Sequence, residues 1–115
     1  MRFYIVDCFA QEKYQGNQLA VFLPNRPMET QEMQQVAHEI GFSETAFLLS
    51  GKQENGGYDV RIFTPDVEVP FAGHPTLGTA YVIWKEIEGG ETRQIRLNLK
   101  AGQIPVDMEG ARLTM

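Results

Sequence analysis

The chain predicts an α+β fold. Short apolar runs bounded by glycine and proline recur from Arg2 to the C-terminus, one segment between Thr30 and Gly41 carries helical apolar spacing, and a second between Leu77 and Trp84 is uncharged throughout. A length of 115 residues with 43% hydrophobic content suits a single domain, 1–115, with a core of its own. No repeat of fixed period and no low-complexity segment divides it.

The elements follow in order. Arg2 to Phe9 is rich in aromatic and β-branched residues and reads as a strand. After a polar turn around Gly16-Asn17, Leu19-Ala-Val-Phe-Leu23 reads as its hairpin partner, ended by Pro24 and Pro27. Thr30 is the expected N-cap of the first helix, with Glu32 in its first turn. Met33, Val36, Ala37 and Ile40 fall at i, i+3, i+4 and i+7, and Gly41 closes the helix with Phe42 over its last turn. Glu44 to Leu49 and Tyr58 to Phe63 read as strands around a Gly51 to Gly57 turn. Pro65 and Pro70 interrupt regular structure, Gly73 permits a turn, and Pro75 fits the first helical position, so a helix is expected to open at His74 or Pro75. With no charge before Lys85, that helix should be buried nearly all round until Gly89-Gly90 stops it. Three further strands are expected over Thr92 to Leu99, Gln103 to Met108 and from Arg112 onward, with turns at Ala101-Gly102 and Glu109-Gly110. Leu113-Thr-Met115 has strand character, so a neighbouring segment is expected to follow.

Charge excludes several functions. Ten basic and fifteen acidic residues give a net charge of −5, and no two lysines or arginines are adjacent, so nucleic acid is not an expected partner. The N-terminus turns polar at Asp7 before it forms a signal segment, and no apolar run is long enough to span a bilayer, which leads to a cytoplasmic expectation without membrane contact. A single cysteine and two distant histidines suggest neither a disulfide nor a metal site. Cys8 reads as a packing residue and His38 as a solvated one on the first helix.

Two places carry chemistry. At the start of the second helix, the N–H groups from Thr76 onward, the Thr76 hydroxyl and the positive end of the dipole are expected to converge on an anion such as a carboxylate; an ordinary Gly-Pro entry into a core helix reads equally well. Glu44 directly follows a helix end and heads an apolar strand, which places its carboxylate near the core or a cleft floor. Desolvation there would let one carboxyl take and return a proton; a structural glutamate at a strand edge, or one bonded to Thr45 or a backbone amide, is the alternative.

Together these segments carry a resemblance. Val6-Asp-Cys-Phe9, Gly16-Asn17, Ala20-Val-Phe22, Gly41-Phe-Ser-Glu-Thr-Ala-Phe47, Phe63-Thr-Pro65 and Glu68-Val-Pro-Phe-Ala-Gly-His-Pro-Thr-Leu-Gly78 resemble, in order, the phenazine biosynthesis PhzF-like family. The resemblance implies a diaminopimelate epimerase-like fold of two similar α+β lobes, each a curved, mostly antiparallel sheet around a central buried helix, with the active site between them. Only the first lobe is matched here. It further implies that Glu44 is the general acid/base of an isomerase or epimerase and that Gly73, His74, Pro75 and Thr76 contact the substrate carboxylate, without a cofactor. His74 is implied to position the moving proton, with a plain N-cap as the alternative. Asn17 is a turn former whose loop the family places near the cleft, although Gln18 stands where many relatives have proline. Phe71, Ala72 and Gly73 supply no thiol, so a carboxylate mechanism is preferred over a two-cysteine one. The implied partner is a small carboxylated molecule, and a homodimer is the expected means of completing the cleft. A lobe that binds or dimerises without turnover is the alternative.

Overall fold

The computed structural model describes residues 2–8, 17–109 and 112–114. The expected turn at Gly16, the turn residue Gly110 and the side chains of Cys8 and Asn17 lie outside what is described. Strands β1 (Arg2–Cys8) and β2 (Asn17–Leu23) form the anticipated antiparallel hairpin, with Cys8 opposite Asn17 and Arg2 opposite Leu23. β2 begins two residues earlier than its apolar run suggested, because ladder bonding does not require apolar side chains.

Helix α1 (Thr30–Ile40) ends where predicted but begins one residue earlier, with a different cap. Glu29, with extended backbone (φ −80°, ψ 157°), is the N-cap, and its N–H donates to Glu32 Oε1 at 3.1 Å, while Thr30 is already helical. Glu32 also receives Arg26, whose hydrogen bond pulls its carboxyl down to about 2. Gly41 closes the helix as expected, with φ 73° and its N–H on Ala37 O.

Strand β3 (Glu44–Lys52) pairs in parallel with β2, so β2-α1-β3 is a crossover unit that strand pattern alone had not revealed. β3 runs three residues past Leu49, through an irregularity between Leu48 and Lys52, and the turn to β4 (Gly57–Phe63) is correspondingly shorter. A two-residue strand β5 (Glu68–Val69) folds back onto the end of β4. Helix α2 (Gly73–Val82) opens one residue ahead of the predicted start and continues into a π-helical turn, Ile83–Ile87, before the glycine stop. Pro75 therefore occupies the third helical position, still within the turn whose N–H groups have no helical acceptor. Strands β6 (Gln94–Leu99), β7 (Gly102–Glu109) and β8 (Arg112–Thr114) complete the chain.

The sheet runs β1-β2-β3-β4-β6-β7-β8, with β5 on the side of β4. β2–β3 and β4–β6 are parallel and every other pairing is antiparallel, which gives the expected mostly antiparallel sheet. Its inner face carries Leu19, Val21, Ala46, Leu48, Val60, Ile62, Ile95, Leu97 and Val106 onto α2. Pro75, Thr76, Gly78, Thr79, Ala80 and Val82 of α2 are buried, Leu77 and Tyr81 half-buried and His74 exposed, so the helix is central with one side near the surface. The outer face is covered by α1, where Met33 and Ala37 pack on Phe22, Phe47 and Phe63. Phe47 stacks on Phe22 at 5.4 Å and meets Phe63 edge-on at 5.6 Å, so three adjacent strands share one aromatic seam.

Candidate active site

Strand pairing brings the predicted residues to one end of the sheet. Glu44 opens β3 in register with Leu19 of β2, and Thr45 lies opposite Phe63 at the end of β4. Asn17 opens β2 two residues ahead of Leu19, so its backbone reaches the same end. From Phe63 the chain turns through Thr64–Val67, returns as β5 opposite Phe63 and Ile62, and enters α2 through Pro70, Phe71 and Ala72. The other end of the helix lies at the start of β4, where Tyr58 bonds Glu88. The α2 N-terminus thus faces the same way as the start of β3.

Alternation sets the direction of Glu44. Ala46 and Leu48 belong to the inner core and Phe47 to the outer cluster, so Glu44 shares the face on which α2 packs. Its side chain is half-buried rather than in the core, and among the described residues its carboxylate has no hydrogen-bond or ion-pair partner. The Thr45 hydroxyl, offered by the sequence as a structural partner, is fully buried and has no hydrogen-bond partner among the described residues.

The helix start departs from expectation at Thr76. Its N–H donates to Ala72 O at 3.1 Å and its hydroxyl to the same carbonyl at 2.7 Å, so both donors are engaged within the helix. Thr76 is fully buried and the helical ladder begins there. The positive end of the dipole lies at this start, with Gly73 as the first helical residue and His74 exposed at the second position.

A clamp that the sequence did not single out holds this start in place. Glu68 accepts a two-pronged bond from Arg61, at 2.7 Å from Nε and 2.6 Å from Nη2, and Lys100 Nζ approaches it at 2.9 Å. The Arg61 bond holds the Glu68 carboxyl below its ordinary range against an opposing effect of burial. The Arg61 guanidinium lies 5.5 Å from the Phe63 ring centre, and Ala101 N–H donates to Pro70 O at 3.2 Å. The available signal was a pair of opposite charges on either side of the Thr64-Pro65-Asp66 turn, which hairpin pairing makes diagonal neighbours.

Open depressions of about 370, 470 and 520 Å³ lie at Pro24–Met28, around Trp84 and Arg93, and beside His38, and none is lined by Glu44 or His74. Glu44 and the α2 start lie outside all three. Among the described residues no cluster of His, Cys, Asp and Glu suits a metal ion, and no helix is long and apolar enough to cross a membrane.

Comparison with known proteins gives this arrangement a context. Residues 6–114 match the family described as phenazine biosynthesis-like protein. A trans-2,3-dihydro-3-hydroxyanthranilate isomerase of Pseudomonas aeruginosa is 42% identical over 110 residues, which are 94% of this chain and 37% of that protein. An uncharacterised isomerase of Pasteurella multocida is 36% identical over 111 residues, 96% of this chain and 38% of its own length. The crystal structure of a phenazine biosynthesis protein, PhzF family, from Enterococcus faecalis superposes with a TM-score of 0.82 at 32% identity, covering 96% of this chain and 41% of that one. A hydroxyproline epimerase of Agrobacterium vitis, at 15% identity and a TM-score of 0.66, shares the fold alone. The chain spans less than half the length of these relatives, and over that span it belongs to the phenazine biosynthesis-like PhzF family.

Proposed function

We propose that this chain supplies one wall of a cytoplasmic isomerase site, in which Glu44 takes a proton from a carbon of a small carboxylated substrate and returns it to another. The single observation that carries this reading is the position of Glu44, a half-buried carboxylate without a partner among the described residues, on the face and at the end of the sheet where α2 begins. A group that must bond a transient C–H proton cannot be committed to a permanent donor. The substrate carboxylate sits at the α2 start, against the Gly73 and His74 backbone and the helix dipole, with Pro75 and Thr76 shaping that turn and Asn17 at its rim. Proton movement between carbons by one carboxylate needs no cofactor. A second wall, from a further lobe or a two-fold copy of this chain, excludes water and strengthens both contacts.

The name of the Pseudomonas aeruginosa relative supplies the first compound to try. With trans-2,3-dihydro-3-hydroxyanthranilate in deuterated water, the wild-type chain is expected to move deuterium onto substrate carbon, and Glu44→Gln, which keeps shape and removes the titrating group, to abolish it. Exchange that survives in Glu44→Gln refutes the acid/base role. A non-catalytic lobe is the second reading, motivated by the position of Glu44 and the α2 start outside all three depressions. It predicts substrate binding or self-association without any exchange. Sedimentation that shows only monomer at micromolar concentration rules out completion by a second copy.

A further inference from the structure

The geometry points to Asn55-Gly56, at the tip of the β3–β4 turn, as a masked self-modification site in which the Gly56 nitrogen attacks the Asn55 side-chain amide once a carboxamide clamp opens. Glycine after asparagine obstructs this ring closure least, because no Cβ stands beside the attacking nitrogen. In the step, a bond forms between Gly56 N and Asn55 Cγ, the Gly56 amide proton is lost to solvent, and the side-chain nitrogen leaves as ammonia. Water then opens the five-membered imide at either carbonyl. The products are aspartate, or an isoaspartate whose main chain runs through the former side-chain carbon. Water is the only co-reactant, and Asn55 is exposed to it.

Both reacting groups are held away from this path. Gly56 has φ +83° and its N–H donates to Gln53 O at 2.9 Å. Asn55 Oδ1 accepts from Gly57 N–H at 2.9 Å and from Asn98 Nδ2 at 3.2 Å, while Asn55 Nδ2 donates to Asn98 Oδ1 at 3.1 Å. Gln103 Nε2 donates to Asn98 Oδ1 at 3.0 Å and to Asn55 O at 3.2 Å, and Asn98 Nδ2 also reaches Asp59 Oδ1 at 2.9 Å. Turning the Asn55 amide toward Gly56 N breaks its bonds to Asn98 and Gly57 together. The clamp also closes the parallel seam in which Gly57, Tyr58 and Asp59 pair with Arg96, Leu97 and Asn98. Conversion to a carboxylate removes the donor to Asn98 Oδ1 and adds negative charge beside an amide that already serves Asp59. A modified chain therefore has a loosened seam between β4 and β6.

The test ages the whole protein in mildly alkaline buffer and maps Gln53–Arg61, which trypsin releases as one peptide after cutting at Lys52 and Arg61. Replacement of NH2 by OH is read by mass, and isoaspartate by labelling with an isoaspartyl methyltransferase. The folded wild type is expected to convert at least about fivefold more slowly than the same chain in urea, and Asn98→Ala about fivefold faster than wild type, the factor that corresponds to net loss of a hydrogen bond. If Asn98→Ala loses its far-ultraviolet circular dichroism, Gln103→Ala takes its place with the same expectation. Equal rates for folded and unfolded wild type, or for wild type and the folded clamp variant, overturn the proposal.

Discussion

Removing the Glu88 carboxylate tests what anchors the far end of the central helix. Glu88 ends the π-turn and accepts hydrogen bonds from the Tyr58 hydroxyl and from Thr92 Oγ1 at 2.7 Å, with Lys52 Nζ at 3.9 Å. Bonds to a charged acceptor are worth about 1.5–3 kcal/mol each, whereas a pair as open as Lys52–Glu88 is worth under about 1 kcal/mol. The Lys52 side chain is 54% exposed and that of Glu88 17%, so the two hydroxyls carry most of the effect. Glu88→Gln keeps the shape and one acceptor oxygen, and is expected to lose about 1–2 kcal/mol. Glu88→Ala leaves the Tyr58 hydroxyl, on a residue only 3% exposed, without its acceptor and should lose about 2–4 kcal/mol. Urea unfolding followed by fluorescence of Trp84, the single tryptophan, reads this directly, because its indole N–H donates to Thr92 O at 2.8 Å. The pH dependence sharpens the test. The Tyr58 bond, ahead of that from Thr92, holds the Glu88 carboxyl below its ordinary range. Its stabilisation is therefore complete above the ordinary carboxylate value of about 4.3 and fades as pH falls through the folded-state value. The gap between wild type and Glu88→Gln should be full near neutrality and shrink below about pH 4. A gap that is flat across that window, or smaller than about 0.5 kcal/mol at neutral pH, refutes the charged-acceptor account.

Two further substitutions probe packing. A Cβ on Gly57 would lie 2.4 Å from Asn98 Oδ1, so Gly57→Ala is expected to cost about 1–3 kcal/mol in thermal or urea unfolding, and the Gly57→Ala/Asn98→Ala pair to recover part of it; no recovery means that the clash is not the cause. The Thr79 hydroxyl is fully buried with no hydrogen-bond partner among the described residues, so Thr79→Val should stabilise by about 1 kcal/mol, and a comparable loss of stability in a melting experiment would reveal an acceptor for that hydroxyl.

The parts of the fold that were legible are those set by local pattern. Met33 and Ala37, read from helical spacing, are fully buried, and Gly41 takes the left-handed backbone that ends α1. The sequence places the N-cap one residue late because Glu29 is a poor intrinsic cap and serves through a capping box with Glu32. The β2–β3 and β4–β6 pairings are parallel, and nothing in either strand's own residues records that, since the partner is chosen by the helix between them. β5 is two residues long between interruptions at Pro65 and Pro70, too short for alternation to register. The π-turn carries no glycine or proline to announce it.

The candidate site is proposed from chemistry in the sequence, and its geometry is not legible there. Glu44 and the Gly73–Thr76 turn each have a plain structural explanation in the sequence, and only the chain of pairings from Leu19 through Glu44 and Phe63 to Glu68 brings them to one end. The sequence offers the hydroxyl of Thr76 as a ligand donor, yet it donates to the carbonyl of Ala72 one turn back, a local competition common to threonine in helices. In the proposed reading the helix dipole then carries more of the contact with an anion, and the Arg61–Glu68–Lys100 clamp, which ties β5 to β4 and to the β6–β7 turn, bears on it: a dipole acts on a ligand only if its direction is held. Glu44 differs from those three charged residues in one respect. A half-buried structural carboxylate is normally compensated, as Glu68 is by Arg61 and Glu88 by Tyr58, because partial desolvation without a donor is unfavourable. Glu44 has no such partner among the described residues, and this asymmetry between three half-buried glutamates, two on strands and one at the end of the π-turn, is the strongest support for the proposal that the moving proton sits on Glu44.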